Sequence, residues 1–172
     1  ERIDSMYIFQ GDIIFYPSTI GILDPLNSKS AAVSSASYYW PDRKVYFSFD
    51  SSFNSSLQGL AMEAMNTISS VCGVVFVPAL PTSSHYILFK YDASSNKSEV
   101  GMSDGQQIIF ICTYNKGTIM HELMHALGFF HEHCRTDRDN YIIVNWNNIK
   151  LNQQHNFQKY EMGSIPGYDI GT

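Results

Sequence analysis

Residues 121–131 read HELMHALGFFH, and this stretch sets the expectation for most of the chain. On a helix, His121 and His125 lie one turn apart, about 6 Å along the axis, so both imidazoles project from one face toward one point. Gly128 tolerates a positive φ, which lets the helix stop and the chain turn back to bring in His131 as a third nitrogen ligand. Three histidine ligands leave one coordination position for water, which is typical of a catalytic zinc site rather than a structural one.

Glu122 follows the first of these histidines and supplies the second part of the expected chemistry. Neutral imidazoles leave zinc most of its positive charge, which lowers the pKa of bound water toward about 7, and a flanking carboxylate can take the proton. The protonated carboxyl group can then pass this proton to a departing amine. The stretch therefore predicts hydrolysis of peptide bonds, with one zinc ion per chain and Glu122 as general base. A bare HExxH is weak evidence, and the third histidine strengthens it.

The residues that follow complete a longer pattern, HExxHxxGFxHExxRxDRD, which ends at Asp139. This pattern resembles the signature of the astacin metalloproteases, a family of metzincins. Similar residues recur from Trp40-Pro41 to Trp146-Asn147-Asn148-Ile149, so the resemblance extends over nearly the whole chain. It implies an α+β, metzincin-like two-part catalytic domain. Such a domain has a twisted, mostly parallel sheet with an edge strand, two long helices and a zinc site in the cleft.

Periodicity elsewhere in the chain predicts the elements of such a fold. Alternating or apolar runs indicate strands at residues 44–50, 74–77, 86–91 and 107–111. Residues 117–127 are predicted to form the metal-bearing helix. A second helix is predicted from one apolar stripe, preceded by candidate caps at residues 54–56, and the stripe consists of Leu57, Leu60, Ala61, Ala64, Met65 and Ile68.

A second informative segment, FQGDI, occupies residues 9–13. It resembles the FxGD element of astacin propeptides, which implies that Asp12 binds the zinc and displaces the water. A carboxylate oxygen is a good zinc ligand, and Gly11 lets the backbone approach the metal closely. The alternative is an ordinary Gly-Asp turn before a β-branched strand at residues 13–15. Together with the histidine motif, the segment favours Asp12 as the inhibitory zinc ligand of a zymogen.

The resemblance also implies a division of the chain. Residues 1–30 are expected to be a propeptide-like inhibitory segment and linker, since residues 27–37 form a polar tract that proteases can nick. Residues 31–172 are expected to be an astacin-like catalytic domain that stops before the methionine-containing turn of the family. Cleavage near residues 29–32 would release the inhibitory segment.

Composition and the resemblance together indicate the partners. A net charge of −5 without a basic run argues against nucleic acid, and no apolar stretch approaches the length of a membrane span. Sequons at Asn54 and Asn96 are compatible with a secreted glycoprotein. A protein or peptide substrate is expected to pair with an edge strand, and the resemblance assigns to that strand Ser98, Glu99, Val100 and Gly101.

The cysteines depart from the family pattern, which has two disulfides. The resemblance implies that Cys72 pairs beyond Thr172 and that Asn96 replaces the partner of Cys112. A bond between Cys112 and Cys134 is disfavoured because the two flank opposite ends of the metal-bearing helix. Three cysteines leave at least one thiol free or bonded to something outside the chain.

Two functions of different classes stay open at this point. The first is a latent, secreted zinc endopeptidase, which the intact ligand set and Glu122 favour. The second is a zinc-binding but catalytically inactive protease-like domain that acts through protein contacts. A structural zinc module would need a fourth protein ligand, a role that Asp12 could mimic.

His133 could compete for the metal, but the family pattern has its third histidine ligand at the position of His131. The charged run from Arg135 to Asp139 is interpreted as a structural turn held by ion pairs.

Overall fold

The computed structural model describes residues 7–15 and 36–159 of the chain. The longer elements, in chain order, are β1 (Tyr7–Phe9), β2 (Ile13–Phe15), β3 (Lys44–Phe49), α1 (Ser55–Cys72), β4 (Val75–Pro78), β5 (Tyr86–Tyr91), β6 (Ser98–Glu99), β7 (Gln106–Ile111) and α2 (Lys116–Ala126). Short 3-10 helices lie at Ala36–Tyr38, Pro41–Arg43, Glu132–Cys134, Arg138–Asn140, Trp146–Asn148 and Leu151–Phe157.

The main sheet has four parallel strands in the order β4-β3-β5-β7. Crossover connections join parallel strands, and here α1 connects β3 to β4. Both helices share one apolar core with the sheet, because burial of apolar surface is the main favourable term in folding. The fully buried side chains of this core include Val45, Leu57, Ala61, Ala64, Ile87, Phe89, Ile109, Ile111, Ile119, Leu123 and Ala126.

Helix α1 shows why the apolar stripe was informative. The Oδ1 atom of Asn54 accepts a hydrogen bond from the backbone N–H of Leu57 at 3.1 Å, which caps the first turn. At the other end Gly73 adopts φ 70°, a left-handed conformation that suits glycine. Five of the six stripe residues are buried and the sixth, Leu60, packs against the core. The predicted helix and its cap are therefore confirmed.

A smaller sheet attaches the N-terminal segment to the edge of the fold. Strands β1 and β2 form an antiparallel hairpin, and β2 pairs with β6 in parallel. Lys97, which precedes β6, forms an antiparallel bridge with Phe110 of β7. Ile13 and Ile14 of β2 are 0% and 1% exposed, so this strand is packed rather than laid on the surface. The predicted turn and strand at residues 9–15 are both present.

Most predicted strands match the structure within one or two residues, but the predicted edge strand is shorter than expected. Only Ser98 and Glu99 have strand geometry. Gly101 has φ 75°, which turns the chain, and its N–H donates to the carbonyl oxygen of His125 at 2.9 Å instead of extending the strand. The edge is thus fixed to the metal-bearing helix.

Cys72, Cys112 and Cys134 are all unpaired thiols. Cys72 is exposed at the end of α1. The backbone N–H of Cys112 donates a hydrogen bond to Oδ1 of Asn96. In residues 7–15 and 36–159, no helix combines the length and the apolar character that a membrane span requires. The predicted linker lies mostly outside the described residues.

Candidate metal centre

Helix α2 presents the first two predicted ligands. Asn115 caps the helix, since its Oδ1 accepts from the backbone N–H of Thr118 at 3.2 Å. The helix ends at Ala126, and Gly128 takes φ 104°, which reverses the chain toward His131 as predicted. Trp40 secures this end of the helix, because its indole N–H donates to the carbonyl oxygen of Ala126 at 2.9 Å. The loop that carries the third histidine therefore leaves a helix end held by hydrogen bonds.

The three predicted histidine ligands converge on one point. The Nε2 atom of His121 lies 3.0 Å from Nε2 of His125 and 3.3 Å from Nε2 of His131. With zinc–nitrogen bonds of about 2.0–2.1 Å and tetrahedral angles, neighbouring ligand nitrogens would lie about 3.3–3.4 Å apart. The observed separations come close to that geometry. The residues present therefore fit a tetrahedral metal ion.

Hydrogen bonds behind two of the imidazoles fix which nitrogen faces the centre. Nδ1 of His125 lies 2.7 Å from the carbonyl oxygen of Phe129, and Nδ1 of His131 lies 3.0 Å from Oε1 of Gln10. Both partners are acceptors, so Nδ1 carries the hydrogen and Nε2 has its lone pair directed inward. Burial lowers the pKa of His125 to about 4, which keeps the ring neutral and able to bind a metal.

Asp12 completes the group. Its carboxylate oxygens lie 3.1 Å from Nε2 of His121 and 3.2 Å from Nε2 of His131, and 3.9 Å from Nε2 of His125. The ligand atoms of all four residues lie within 4.8 Å of one another. Although burial raises the pKa of Asp12, the adjacent imidazoles of His121 and His131 outweigh it and hold the pKa well below its usual value. Asp12 is therefore a carboxylate at neutral pH, and one of its oxygens is suited to be the fourth ligand beside the three histidine nitrogens.

Glu122 is buried beside this group, with only 1% of the residue exposed. Among the described residues, its Oε2 atom has no hydrogen-bond partner. Burial, followed by the negative charge of Asp12, raises the pKa of Glu122 to about 9. A divalent cation at the histidines would act in the opposite direction, because positive charge favours the carboxylate. A buried carboxyl group in such an environment is a candidate for proton transfer.

A polar cavity of about 480 Å³ opens beside His121 and Glu122. Its other lining residues belong to the loop before β6, the start of α2 and the N-terminal segment, namely Asn96, Asn115, Gly117, Thr118 and Asp12. The cavity has room for part of a peptide next to the candidate acid–base group.

The predicted substrate edge strand is covered by the N-terminal segment. Ile13 pairs with Ser98 and Ile14 with Glu99, and the N–H of Ser98 donates to the carbonyl oxygen of Asp12 at 2.8 Å. All four residues assigned to the edge, Ser98, Glu99, Val100 and Gly101, are buried. The backbone groups expected to pair with a substrate are thus partly occupied by residues of this chain.

Two features next to the site, His133 and the charged turn that follows it, have the structural roles expected from the sequence. His133 stays outside the ligand group, since its Nε2 lies 3.0 Å from the carbonyl oxygen of Asn156. Arg135 pairs with Asp137 at 2.8 Å and with Glu132 at 3.3 Å, as expected for a turn held by ion pairs. Arg138 is only 5% exposed and donates to the carbonyl oxygen of His133 at 3.0 Å.

Sequence reasoning missed Gln10. Its carboxamide contacts both His131 and the Sγ atom of Cys134, each at 3.0 Å. The available signal was its place in the FQGD stretch, two residues before Asp12, but nothing in the local sequence indicated the contact with residues more than a hundred positions away.

Comparisons with known proteins identify the family of the chain. The profile of the astacin family of peptidases matches residues 32–171. Zinc metalloproteinase nas-15 of Caenorhabditis elegans is 35% identical over 147 residues, which cover 82% of this chain and 26% of that protein. Nematocyst expressed protein 6 of Nematostella vectensis is 33% identical over 150 residues, which cover 76% of this chain and 51% of that protein. The chain thus spans about a quarter to a half of the length of these curated relatives.

A solved structure is also similar. It is that of high choriolytic enzyme 1, a hatching enzyme zinc-protease from Oryzias latipes, with a TM-score of 0.67 and 29% identity. The match covers 74% of this chain and 67% of that one. Its fold agrees with the α+β, metzincin-like architecture described above. The chain therefore belongs to the astacin family of peptidases.

Proposed function

We propose that this chain forms the catalytic part of a secreted zinc endopeptidase that its own N-terminal segment holds latent. The observation that carries the proposal is the convergence of His121, His125, His131 and Asp12, with Glu122 buried beside them. Family membership supports peptide hydrolysis and a zinc ion. The sequons at Asn54 and Asn96 support secretion.

The proposed mechanism assigns a role to each of these side chains. The Nε2 atoms of the three histidines would hold one zinc ion, which when bound supplies a Lewis acid that polarises the scissile carbonyl and acidifies water. Glu122 would take the proton from the attacking water and later deliver it to the departing amine nitrogen. Burial raises the pKa of Glu122 and the charge of a bound cation would lower it, so the carboxyl group would be able both to accept and to release this proton.

Latency would arise at two points. The carboxylate of Asp12 lies where a fourth ligand would bind, close to Nε2 of His121 and His131. The backbone of β2 pairs with Ser98 and Glu99, which belong to the proposed substrate edge. A peptide substrate would have to displace both contacts, so cleavage of the linker and release of the segment would precede activity.

The test uses the zinc-loaded protein before and after limited proteolysis of the linker. We expect cleavage of a fluorogenic peptide to appear only after processing and to be abolished by Glu122→Gln, with zinc content unchanged. Glu63→Gln, on the exposed face of α1, is the matched control. Asp12→Asn should release activity without processing, whereas the exposed Asp104→Asn should not.

Two outcomes would overturn the proposal. Processed protein that binds zinc but cleaves no peptide would favour the inactive, zinc-binding alternative. Full latency of Asp12→Asn would remove Asp12 from the inhibitory role.

A further inference from the structure

We infer that Gln10 is a positioning residue of the latent state, because its carboxamide connects His131 to the buried thiol of Cys134 and so holds Asp12 at the metal centre. The inference rests on the proposed latency. It concerns what retains the segment, rather than which atom binds the metal.

The side chain of Gln10 is inserted into the protein, although it is polar. The residue is 7% exposed, with Oε1 at 3.0 Å from Nδ1 of His131 and Nε2 at 3.0 Å from Sγ of Cys134. The orientation of the carboxamide follows from the histidine. Since Nε2 of His131 faces the metal centre, its Nδ1 carries a hydrogen and requires an acceptor, which places the oxygen of Gln10 there and its NH₂ group against sulfur.

Cys134 extends this contact to the C-terminal part of the described chain. It is 0% exposed, and its Sγ donates to the carbonyl oxygen of Asn156 at 3.2 Å while accepting from Gln10. A path of hydrogen bonds therefore runs from His131 through Gln10 and Cys134 to the 3-10 helix Leu151–Phe157. Three separate segments meet around one carboxamide, and buried polar groups in such a network depend on one another.

The backbone explains why this side chain controls Asp12. Gln10 has φ 52° and Gly11 has φ 96°, so two consecutive left-handed residues form the tight turn that delivers the carboxylate. A residue with a Cβ is disfavoured in this conformation, and the hydrogen bonds of its side chain offset the strain. Two residues later, the carbonyl oxygen of Asp12 accepts from the N–H of Ser98, which fixes the other end of the turn.

The arrangement has a consequence for release. His131 is held from one side by Gln10 and approached on the other by Asp12, so both contacts are lost together when the segment departs. Gln10 also contacts the buried thiol of Cys134, so we expect this thiol to react faster with reagents once the segment has departed. Reactivity of this thiol thus reports retention of the segment independently of catalysis.

The experiment compares metal-loaded, unprocessed wild type with Gln10→Met and Gln10→Glu. Methionine keeps the length but offers neither strong hydrogen bond, whereas glutamate keeps the acceptor for His131 and loses the donor to Cys134. Loss of buried hydrogen bonds should raise the rate of Cys134 alkylation about tenfold in Gln10→Met, with a smaller rise in Gln10→Glu. The exposed Cys72, mapped in the same digest, is the internal reference.

A second readout addresses the metal side. The rate of metal loss to a chelator should rise in Gln10→Met and also in Cys134→Ala, and the double variant should be no faster than the faster single variant, because both remove the same link. Cys134→Ser, which retains a donor and an acceptor, should restore much of the wild-type rate. After processing, Gln10→Met and wild type are the same polypeptide and must have equal activity.

The outcomes separate this inference from the proposed function. If Asp12→Asn abolishes latency while Gln10→Met and Gln10→Glu alkylate and lose metal at the wild-type rate, the role of Gln10 is wrong and that of Asp12 stands. Additive effects of Gln10→Met and Cys134→Ala on metal loss would also overturn it.

Discussion

Asn96 offers a sharp test of the loop that borders the cavity. Its Oδ1 accepts from the backbone N–H of Cys112 at 2.8 Å and from the hydroxyl of Thr113 at 3.4 Å. The family resemblance predicts a cysteine at position 96, so a hydrogen bond takes the place of a covalent link between this loop and the end of β7. We therefore predict that Asn96→Cys forms a disulfide with the unpaired Cys112.

The expected stabilisation can be estimated from the loop length. The two residues are 16 apart in sequence, and closing a loop of about 15 residues is worth about 3 kcal/mol. Loss of the Asn96 side-chain hydrogen bond costs about 1 kcal/mol. The net gain in the free energy of unfolding is about 2 kcal/mol, which corresponds to an increase in Tm of about 4–8 °C for a domain of this size.

Calorimetry of the oxidised variant against wild type measures this net gain. The same variant with a thiol reductant isolates the contribution of the bond, about 3 kcal/mol, and a mass decrease of two hydrogens verifies the bond. Asn96→Ser lacks the thiol and should lose about 1 kcal/mol under both conditions. The placement of Asn96 beside Cys112 would be refuted if air-oxidised Asn96→Cys kept both thiols titratable, or if its Tm were unaffected by reduction of the bond.

Three further predictions concern the loop that carries His131, the helix end from which it leaves, and the metal itself. Gly128→Ala introduces a Cβ at φ 104°, at a cost of about 1–2 kcal/mol, and should misplace His131 and lower zinc affinity at least about tenfold in chelator competition. Gly59→Ala, in the interior of α1 with open space around it, is the matched control and should raise the free energy of unfolding by about 0.5–1 kcal/mol. Trp40→Phe removes the donor to Ala126 and should lower that energy by about 1 kcal/mol or more in denaturant titrations. Removal of the metal by a chelator should lower stability by about 2.7 kcal/mol relative to protein at a free zinc concentration about 100 times Kd, and an unchanged Tm would exclude a native-state site.

The parts of the fold that sequence predicts are those with a local physical cause. The stripe in α1 repeats with the helical period, and Asn54 caps it through the N–H three residues on. The histidine spacing sets two ligands on one face of α2, and the positive φ of Gly128 provides the return to His131. In each case the residues that interact lie within about ten positions of one another, so the pattern is visible in one window.

The parts that sequence does not predict depend on distant segments. The contact between Gln10 and Cys134 joins residues 124 positions apart, and neither side chain by itself indicates the other. The shortness of β6 likewise depends on tertiary structure, because the N–H of Gly101 reaches the end of α2 rather than a neighbouring strand. Glu99 is expected from the sequence to face a substrate, and it is buried because β2 of the N-terminal segment pairs with the strand that contains it.

The pairing of β2 with β6 is what gives the carboxylate its position. A shift of one residue along this ladder would reverse the faces of Ile13 and Ile14 and move Asp12 away from the histidines. Only two residue pairs define the ladder, so the backbone alone specifies this register weakly. The side chains of Gln10 and Asp12, on the near side of the ladder, contact the centre only in the observed register. Strand pairing and side-chain contacts at the centre therefore reinforce each other, and neither would hold the segment as specifically alone.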